Sequence, residues 1–378
     1  MKKVFFMLVV SIMCISLSAQ DANNELLKKL VEKQVITQQE ADDILKDGAS
    51  KPDKSKTEFI REAFASPYMR FGGYGLFMYN YSDVKEVKHS VEPRVVFLSM
   101  RGQLPGKVNY FILAELVNPR VYEFYAEWMP EKEFGIRGGE MKTPNSLENQ
   151  LSLTELETVF NTRSVSTLIG MGGDVLSLYN SSRNIANHTG RDIGIRANGK
   201  IGENDLLEYI VGVYQGAGIN MGDNNNTKDF AASLMLQPVK GFRIGGSAYF
   251  GQARYAMGAN TENDHVRNRI LVSSDYRDER AYCRAEWIKA NDGGIDKEGL
   301  YGMASYLLIP QKLSALAKVD YYNRNKANNE EVIDYTMGVN YYFYKQCRLQ
   351  LNYTYFDFSN TWVAKNSNAV AGQLQIVF

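Results

Sequence analysis

The sequence predicts an all-β fold: a sixteen-stranded antiparallel transmembrane β-barrel with a short periplasmic helical segment at its N-terminus. Three features point to it. They are an export signal, a two-residue alternation of apolar and polar side chains over most of the chain, and separators that alternate in length.

The export signal comes first. Lys2 and Lys3 form a charged start, residues 4–17 are almost continuously apolar, and Ser18-Ala19 offers small residues for cleavage before Gln20. That is the pattern of a secretory signal peptide over residues 1–19. Lipid attachment through Cys14 fits poorly, because Met13 stands where a small residue is wanted. Beyond the signal only Cys283 and Cys347 remain, on strands that are not neighbours, so no disulfide framework is expected. No later stretch approaches the roughly 18 consecutive apolar residues of a membrane helix, which leaves a water-soluble chain or a closed barrel.

Residues 20–57 read as a helical segment and linker. Leu26, Leu27, Leu30 and Val31 recur at helical spacing, and Thr37-Gln38-Gln39-Glu40 forms a capping box ahead of Ala41, Ile44 and Leu45. A polar, Lys-rich stretch at 47–57 follows. A helical hairpin or short oligomerisation coil is expected here, with the barrel occupying residues 58–378.

From Tyr68 onward the period is two. Leu349, Leu351, Tyr353 and Tyr355 alternate with Arg348, Gln350, Asn352 and Thr354. Phe242, Ile244, Gly246, Ala248 and Phe250 alternate with Arg243, Gly245, Ser247 and Tyr249, and Leu313 to Tyr321 behaves alike. Strand side chains point to opposite faces in turn, so each segment offers one oily face and one wettable face. Short breaks fall at 102–106, 130–133, 199–204, 238–241, 277–279, 310–312 and 344–346. Longer polar ones fall at 83–92, 143–190, 217–228, 253–264, 291–299, 324–331 and 359–366, and only 118–120 spoils the alternation. Short turns at one end and long loops at the other characterise outer-membrane barrels. Tyr341-Tyr342-Phe343-Tyr344, Tyr353 with Tyr355, and Tyr321-Tyr322 suit interfacial aromatic girdles. The last strand, with Gly372, Leu374, Ile376 and Phe378 on one face, looks like the C-terminal signature that the barrel-assembly machinery recognises.

Composition agrees. A formal net charge of +0 gives no clustered positive excess for a nucleic-acid partner. A hydrophobic fraction of 44% with mean hydropathy −0.33 suits a chain that alternates while coating itself in lipid.

The chain resembles the phosphate-selective porin O and P family. The likeness rests on the N-terminal helical segment, on Arg94-Val95-Val96-Phe97-Leu98-Ser99-Met100-Arg101-Gly102, and on Arg137-Gly138-Gly139-Glu140-Met141-Lys142-Thr143-Pro144 leading to Phe160-Asn161-Thr162-Arg163-Ser164. It implies a homotrimer of sixteen-stranded barrels in a Gram-negative outer membrane, each with its third loop folded in, passing small hydrophilic solutes by passive diffusion. The family's phosphate path, a ladder of arginines with a lysine at the constriction, finds no register here. The long loop holds only Arg163, Arg183 and, at its end, Arg191.

In a barrel of this size the lumen is wet and its charges set selectivity. Alternation turns Arg137, Arg196, Arg243, Arg267, Arg269, Arg284, Lys318 and Arg348 inward, and Lys142 and Arg163 complete the pore-lining, anion-binding set. Glu115, Asp192, Glu286 and Asp320 face them, with Glu286 expected to offset Arg284 and Asp320 to offset Lys318 along one strand face. Two readings stay open, an anion-preferring channel and a generic hydrated pore. The third loop, 143–190, is the natural constriction, with Leu151, Leu153, Leu156, Val159 and Phe160 packing it on the inner wall; the alternative is an extracellular flap. A loop that blocks the lumen would instead make an adhesin or structural anchor.

Nothing points to an enzyme or a cofactor. His89, His188 and His265 lack the paired spacing of a metal site. Asp223, Asn225, Thr227 and Asp229 imitate a calcium loop without its central Gly and final Glu. Gly138-Gly139 and Gly172-Gly173 have no strand–helix context for a phosphate cradle.

Overall fold

The computed structural model describes residues 68–169, 190–256, 262–361 and 364–378, together with Thr37, Gln39, Ala65 and Ser66. The export signal, Cys14, nearly all of the helical segment and linker, Gly172-Gly173, Arg183 and His188 lie outside the described residues.

Sixteen strands form the wall among the described residues. The first eight are β1 (Met69–Ser82), β2 (His89–Leu104), β3 (Val108–Glu115), β4 (Arg120–Glu131), β5 (Phe134–Lys142), β6 (Arg191–Ile201), β7 (Leu207–Tyr214) and β8 (Asp229–Val239). The remainder are β9 (Phe242–Ala256), β10 (Glu262–Arg277), β11 (Ala281–Asp292), β12 (Ile295–Ile309), β13 (Leu313–Asn325), β14 (Glu330–Tyr344), β15 (Cys347–Phe358) and β16 (Ser367–Val377). Each pairs antiparallel with its sequence neighbours, and β16 returns to β1 with Val377 opposite Tyr74. Closure leaves no unpaired edge to face lipid.

The two ends differ as expected. At one end the strands are joined by tight turns at 105–107, 132–133, 202–206, 240–241, 278–280, 310–312 and 345–346. The other end carries 83–88, 116–119, 215–228, 293–294 and 326–329, with the described parts of the breaks after β5 and β15. The break at 118–120 therefore belongs to the loop end and breaks no rule. Several loops are shorter than polarity suggested. The 291–299 break shrinks to a turn at Gly293-Gly294, because Asn291, Asp292 and Asp296 through Gly299 already pair in the ladder. A polar residue is compatible with a strand that emerges beyond the lipid, so composition alone overestimates loop length there.

The faces follow the period. Leu351 is 52% exposed and faces outward with Leu349 and Tyr353, while Arg348, Gln350 and Asn352 are buried toward the lumen. Outward aromatic residues gather near the turn end (Trp128, Phe134, Tyr306, Tyr341, Phe343) and again toward the loops (Phe124, Phe230, Phe250, Tyr335, Tyr353). The girdle expectation fails for Tyr322, which is buried inside, and for Tyr342, which receives Arg348 Nη1 at 3.0 Å. Consecutive tyrosines cannot share a face of one strand. Leu351 lies between the two aromatic bands, so Leu351→Arg is expected to destabilise the barrel by about 2–4 kcal/mol. Denaturant unfolding in lipid vesicles measures this; no shift would mean that this face does not meet hydrocarbon.

Candidate functional site

The third loop leaves β5 at Thr143 and rejoins β6 at Gly190, and its described part, 143–169, lies inside the barrel. Its stem is pinned shut. Thr143 N–H donates to the Gly190 carbonyl at 3.0 Å, and Asn149 Nδ2 donates to the carbonyls of both Thr143 and Gly190 at 3.0 Å. Gly190 sits at φ +67°, and a Cβ there would fall 1.9 Å from Asn149 Oδ1, so only glycine fits this closure.

Next comes a one-turn helix, α1 (Leu147–Gln150), capped by Ser146. Glu286 on β11 reaches its open end, accepting from Ser146 Oγ at 2.7 Å, Leu147 N–H at 2.8 Å and Glu148 N–H at 3.1 Å. Glu148 in turn accepts from Arg284 Nη2 at 2.8 Å, and from the N–H and hydroxyl of Thr162 at 2.6 Å each. Burial works against its charge, but Arg284, Lys318 and the two Thr162 donors outweigh that and hold the Glu148 carboxyl below its ordinary value. Glu148 thus ties the wall and two parts of the loop together.

Further along, the wall supplies donors and acceptors to the loop backbone. Arg348 Nη2 donates to the carbonyls of Thr154 (3.0 Å) and Leu156 (2.5 Å), and Gln350 and Asn340 each donate to that of Glu157 at 3.1 Å. Val159 N–H donates to Asn352 Oδ1 at 2.6 Å, and its carbonyl accepts from Arg94. Arg163 donates its N–H to Asp320 at 2.5 Å and its guanidinium to Asp334 at 2.7 and 3.1 Å. The helix α2 (Arg163–Ile169) then buries Val165, Leu168 and Ile169 against Leu271, Ile288, Met303 and Val332. Its close seat depends on Gly299, where a Cβ would fall 2.5 Å from the Ser164 Cβ. An apolar side chain buried this way contributes about 1.5–3 kcal/mol, so α2 is an anchor.

The predicted loop packing holds for Leu156 and Val159, both buried, and Leu153 packs against the Leu76–Phe97 cluster. It fails for Phe160, which is 48% exposed to the pore beneath Arg94. The stronger apolar grip, α2, sits where no amphipathic period was read.

All ten basic candidates lie at the lumen, but most are committed to architecture. Lys142 donates to the carbonyls of Gln150 and Leu151, and Lys318 Nζ lies 3.4 Å from Thr158 Oγ1. Together with Arg163, Arg269, Arg284 and Arg348 they hold the loop; Arg269 donates to the Leu168 carbonyl at 2.7 Å and pairs with Asp292 at 2.8 Å. Arg243 pairs with Asp275 and Arg137 with Glu127. Arg196 bonds Asn198, and Arg267 lies over the Tyr249 ring. The expected same-face neighbours form no salt bridge with each other. Arg284 meets Glu148 while Glu286 caps α1, and Asp320 receives the Arg163 N–H rather than Lys318. Side chains two apart on a strand run roughly parallel, whereas loop and neighbouring strand come within 3 Å. The expected acids Glu115, Asp192, Glu286 and Asp320 are indeed buried, but Glu123, Glu127, Asp275, Asp292 and Asp334 also turn inward and were not singled out.

Between the loop and the wall of β1 to β6 a cavity of about 620 Å³ remains. Six basic side chains line it: Arg94, Arg101, Arg137, Lys142, Arg191 and Arg196, with Glu123 and Glu155. Arg137 and Arg191 are neutralised by Glu127 and Glu123 at 2.9 and 2.7 Å. Arg94, Arg101 and Arg196 have no carboxylate partner among the described residues, and Lys142 is spent on the loop carbonyls, which leaves three guanidiniums facing the side-chain carboxylate of Glu155. Arg94 and Arg101 escaped the sequence reading. In the β1–β2 ladder Leu76 pairs with Val95 but Phe77 with Pro93, so Arg94 is the extra residue of a bulge and turns inward beside Val95. Pro93, which cannot donate to the ladder, was the available signal.

The imitation calcium loop is not built: Asp223 pairs with Lys228 at 2.5 Å, and Asp229 turns to Tyr249 and Gln252. Among the described residues no cluster could hold a metal ion.

The barrel is similar to solved structures of a porin and of other Omp proteins. An anion-selective porin from Comamonas acidovorans superposes with TM-score 0.61 at 12% identity, covering 82% of this chain and 99% of that one. OmpT of Vibrio cholerae in its trimer form gives 0.59 at 13%, covering 82% and 99%. Salmonella typhi OmpF in complex with daunomycin gives 0.59 at 14%, covering 82% and 97%. At these identities the likeness carries the fold. A search of curated protein sequences gave no match. By sequence, the chain matches the family described as Phosphate-selective porin O and P over residues 72–378. That match runs from β1 through Phe378 and takes in the inserted loop, so the chain belongs to the phosphate-selective porin O and P family of channel proteins.

Proposed function

We propose that this porin, in passing small hydrophilic solutes by diffusion, prefers anions. The observation that carries this is the cavity beside the loop, where the unneutralised guanidiniums of Arg94, Arg101 and Arg196 face the side-chain carboxylate of Glu155. In a narrow, low-dielectric passage such an excess attracts anions and repels cations, and guanidinium groups replace part of an anion's hydration. In planar bilayers under a salt gradient, the purified protein is expected to give an anion-selective reversal potential. Arg94→Gln with Arg101→Gln should lower the anion-to-cation ratio by roughly threefold to tenfold. Cation selectivity of the wild type would end this reading, and absence of conductance steps would favour the occluded anchor.

The same reading takes residues 1–19 as an export signal, 20–57 as a periplasmic helical segment, 58–378 as the barrel and Phe378 as a contact for the assembly machinery. It also takes three copies as the working unit, supported by the trimer form of the V. cholerae OmpT to which the fold is similar.

A further inference from the structure

We propose that the cavity between the inserted loop and the β1–β6 wall is a subsite for organic anions that carry a flat ring, such as aromatic carboxylates. This rests on the anion preference above and narrows it. On β2 and β3 the wall presents Val95, Phe97 and Leu113 to this cavity as an apolar floor, with Leu76 of β1 packed in the same cluster. Over that apolar floor stand half-buried rings. Tyr122 meets Phe97 edge-on with centroids 4.7 Å apart, Tyr74 lies 5.2 Å from Phe97, and Tyr125 lies 5.6 Å from Phe111. The guanidiniums are laid against these rings. Arg191 is 5.1 Å from the Tyr122 centroid and Arg137 is 4.0 Å from that of Tyr125.

Two register breaks build this arrangement. The bulge at Arg94 turns its guanidinium inward, and in the β3–β4 ladder Leu113 pairs with Glu123 but Ala114 with Val121, so Tyr122 is likewise an extra residue and turns inward. Each bulge disrupts the ladder locally, and both aim a side chain into one cavity, one a cation and the other a ring. A small hydrated anion such as phosphate would use the cations and gain nothing from the rings. A ring-bearing carboxylate would use both, stacking on tyrosine while its charge meets Arg94 or Arg101. The cavity, about 620 Å³, is of a size that holds one small molecule.

The test titrates three anions against the chloride current of wild-type channels in planar bilayers: benzoate, hexanoate (similar bulk, no ring) and inorganic phosphate. Benzoate is expected to reduce the current at about tenfold lower concentration than either other anion. Tyr122→Leu and Tyr125→Leu should each shrink the gap between benzoate and hexanoate, and Tyr125→Phe should restore it. An anion-selective channel in which benzoate acts no better than hexanoate, or in which phosphate acts at the lowest concentration, overturns the subsite alone. A cation-selective channel overturns the anion preference beneath it. The wild-type comparison stands even where a variant fails to assemble.

Discussion

Replacing Glu148 with Ala is expected to release the inserted loop and widen the pore. The carboxylate is the single group that holds Arg284 of the wall, both donors of Thr162 and, through the α1 backbone, the Glu286 cap. Removing it leaves Arg284 buried without a carboxylate partner, because Glu286 is occupied by Ser146, Leu147, Ser273 and Tyr301. Breaking a buried pair in this way costs about 3–5 kcal/mol, more than the Arg163–Asp334 pair at the edge of the same loop could restore. Single-channel conductance should rise severalfold with weakened ion preference, and trypsin should cut at Arg163 in the folded protein. Unchanged conductance would show that α2 alone fixes the loop. The pH dependence has a definite sign. A carboxyl held below its ordinary value keeps its charge through neutral and mildly acidic solution, so the tether is present above the unfolded-state value and is lost as pH falls through the lower folded value. Wild-type conductance should therefore stay constant through neutral and mildly acidic solution and rise only once the pH falls below the ordinary glutamate range.

Periodicity was enough to read the wall, because strand geometry converts residue parity into face. Leu351 and Arg348 went to their sides without any knowledge of neighbours. The same parity argument failed at two positions that matter most for the pore. Arg94 and Tyr122 are bulge residues, and one extra residue reverses the face of a side chain relative to strict alternation. The sequence reading also found the cations without finding their partners. Arg284 is joined to Glu148 across 136 residues and Arg348 to Thr154 across 194, distances that no local pattern reports. A basic residue on the inner face looks the same in sequence whether it meets a passing solute or a loop carbonyl, and here the loop takes six of the ten. The open cations that remain are fewer than counted and cluster on one side.

The seam where the barrel closes should tolerate substitution poorly. Gly73 on β1 exchanges both hydrogen bonds with Phe378, N–H to carbonyl at 3.0 Å in each direction. A Cβ on Gly73 would lie 2.4 Å from the Phe97 carbonyl oxygen and 2.8 Å from the Phe378 ring. The ring could swing away, but the carbonyl belongs to the β2 ladder, so relief requires the backbone itself to move and the reciprocal bonds to open. Two opened backbone bonds at a lipid-facing seam leave polar groups without partners where each costs several kcal/mol. Gly73→Val is therefore expected to abolish the compact, heat-modifiable band that folded barrels show in detergent gels, or to leave only a small fraction of it. Gly75 provides the control on the same strand. A Cβ there meets only the Val96 Cγ2 at 3.8 Å, ordinary contact, so Gly75→Ala should fold as the wild type does. Equal folding of the two variants would mean that the seam closes without Gly73, and equal failure would mean that any side chain on this stretch of β1 is excluded by something other than Phe97 and Phe378.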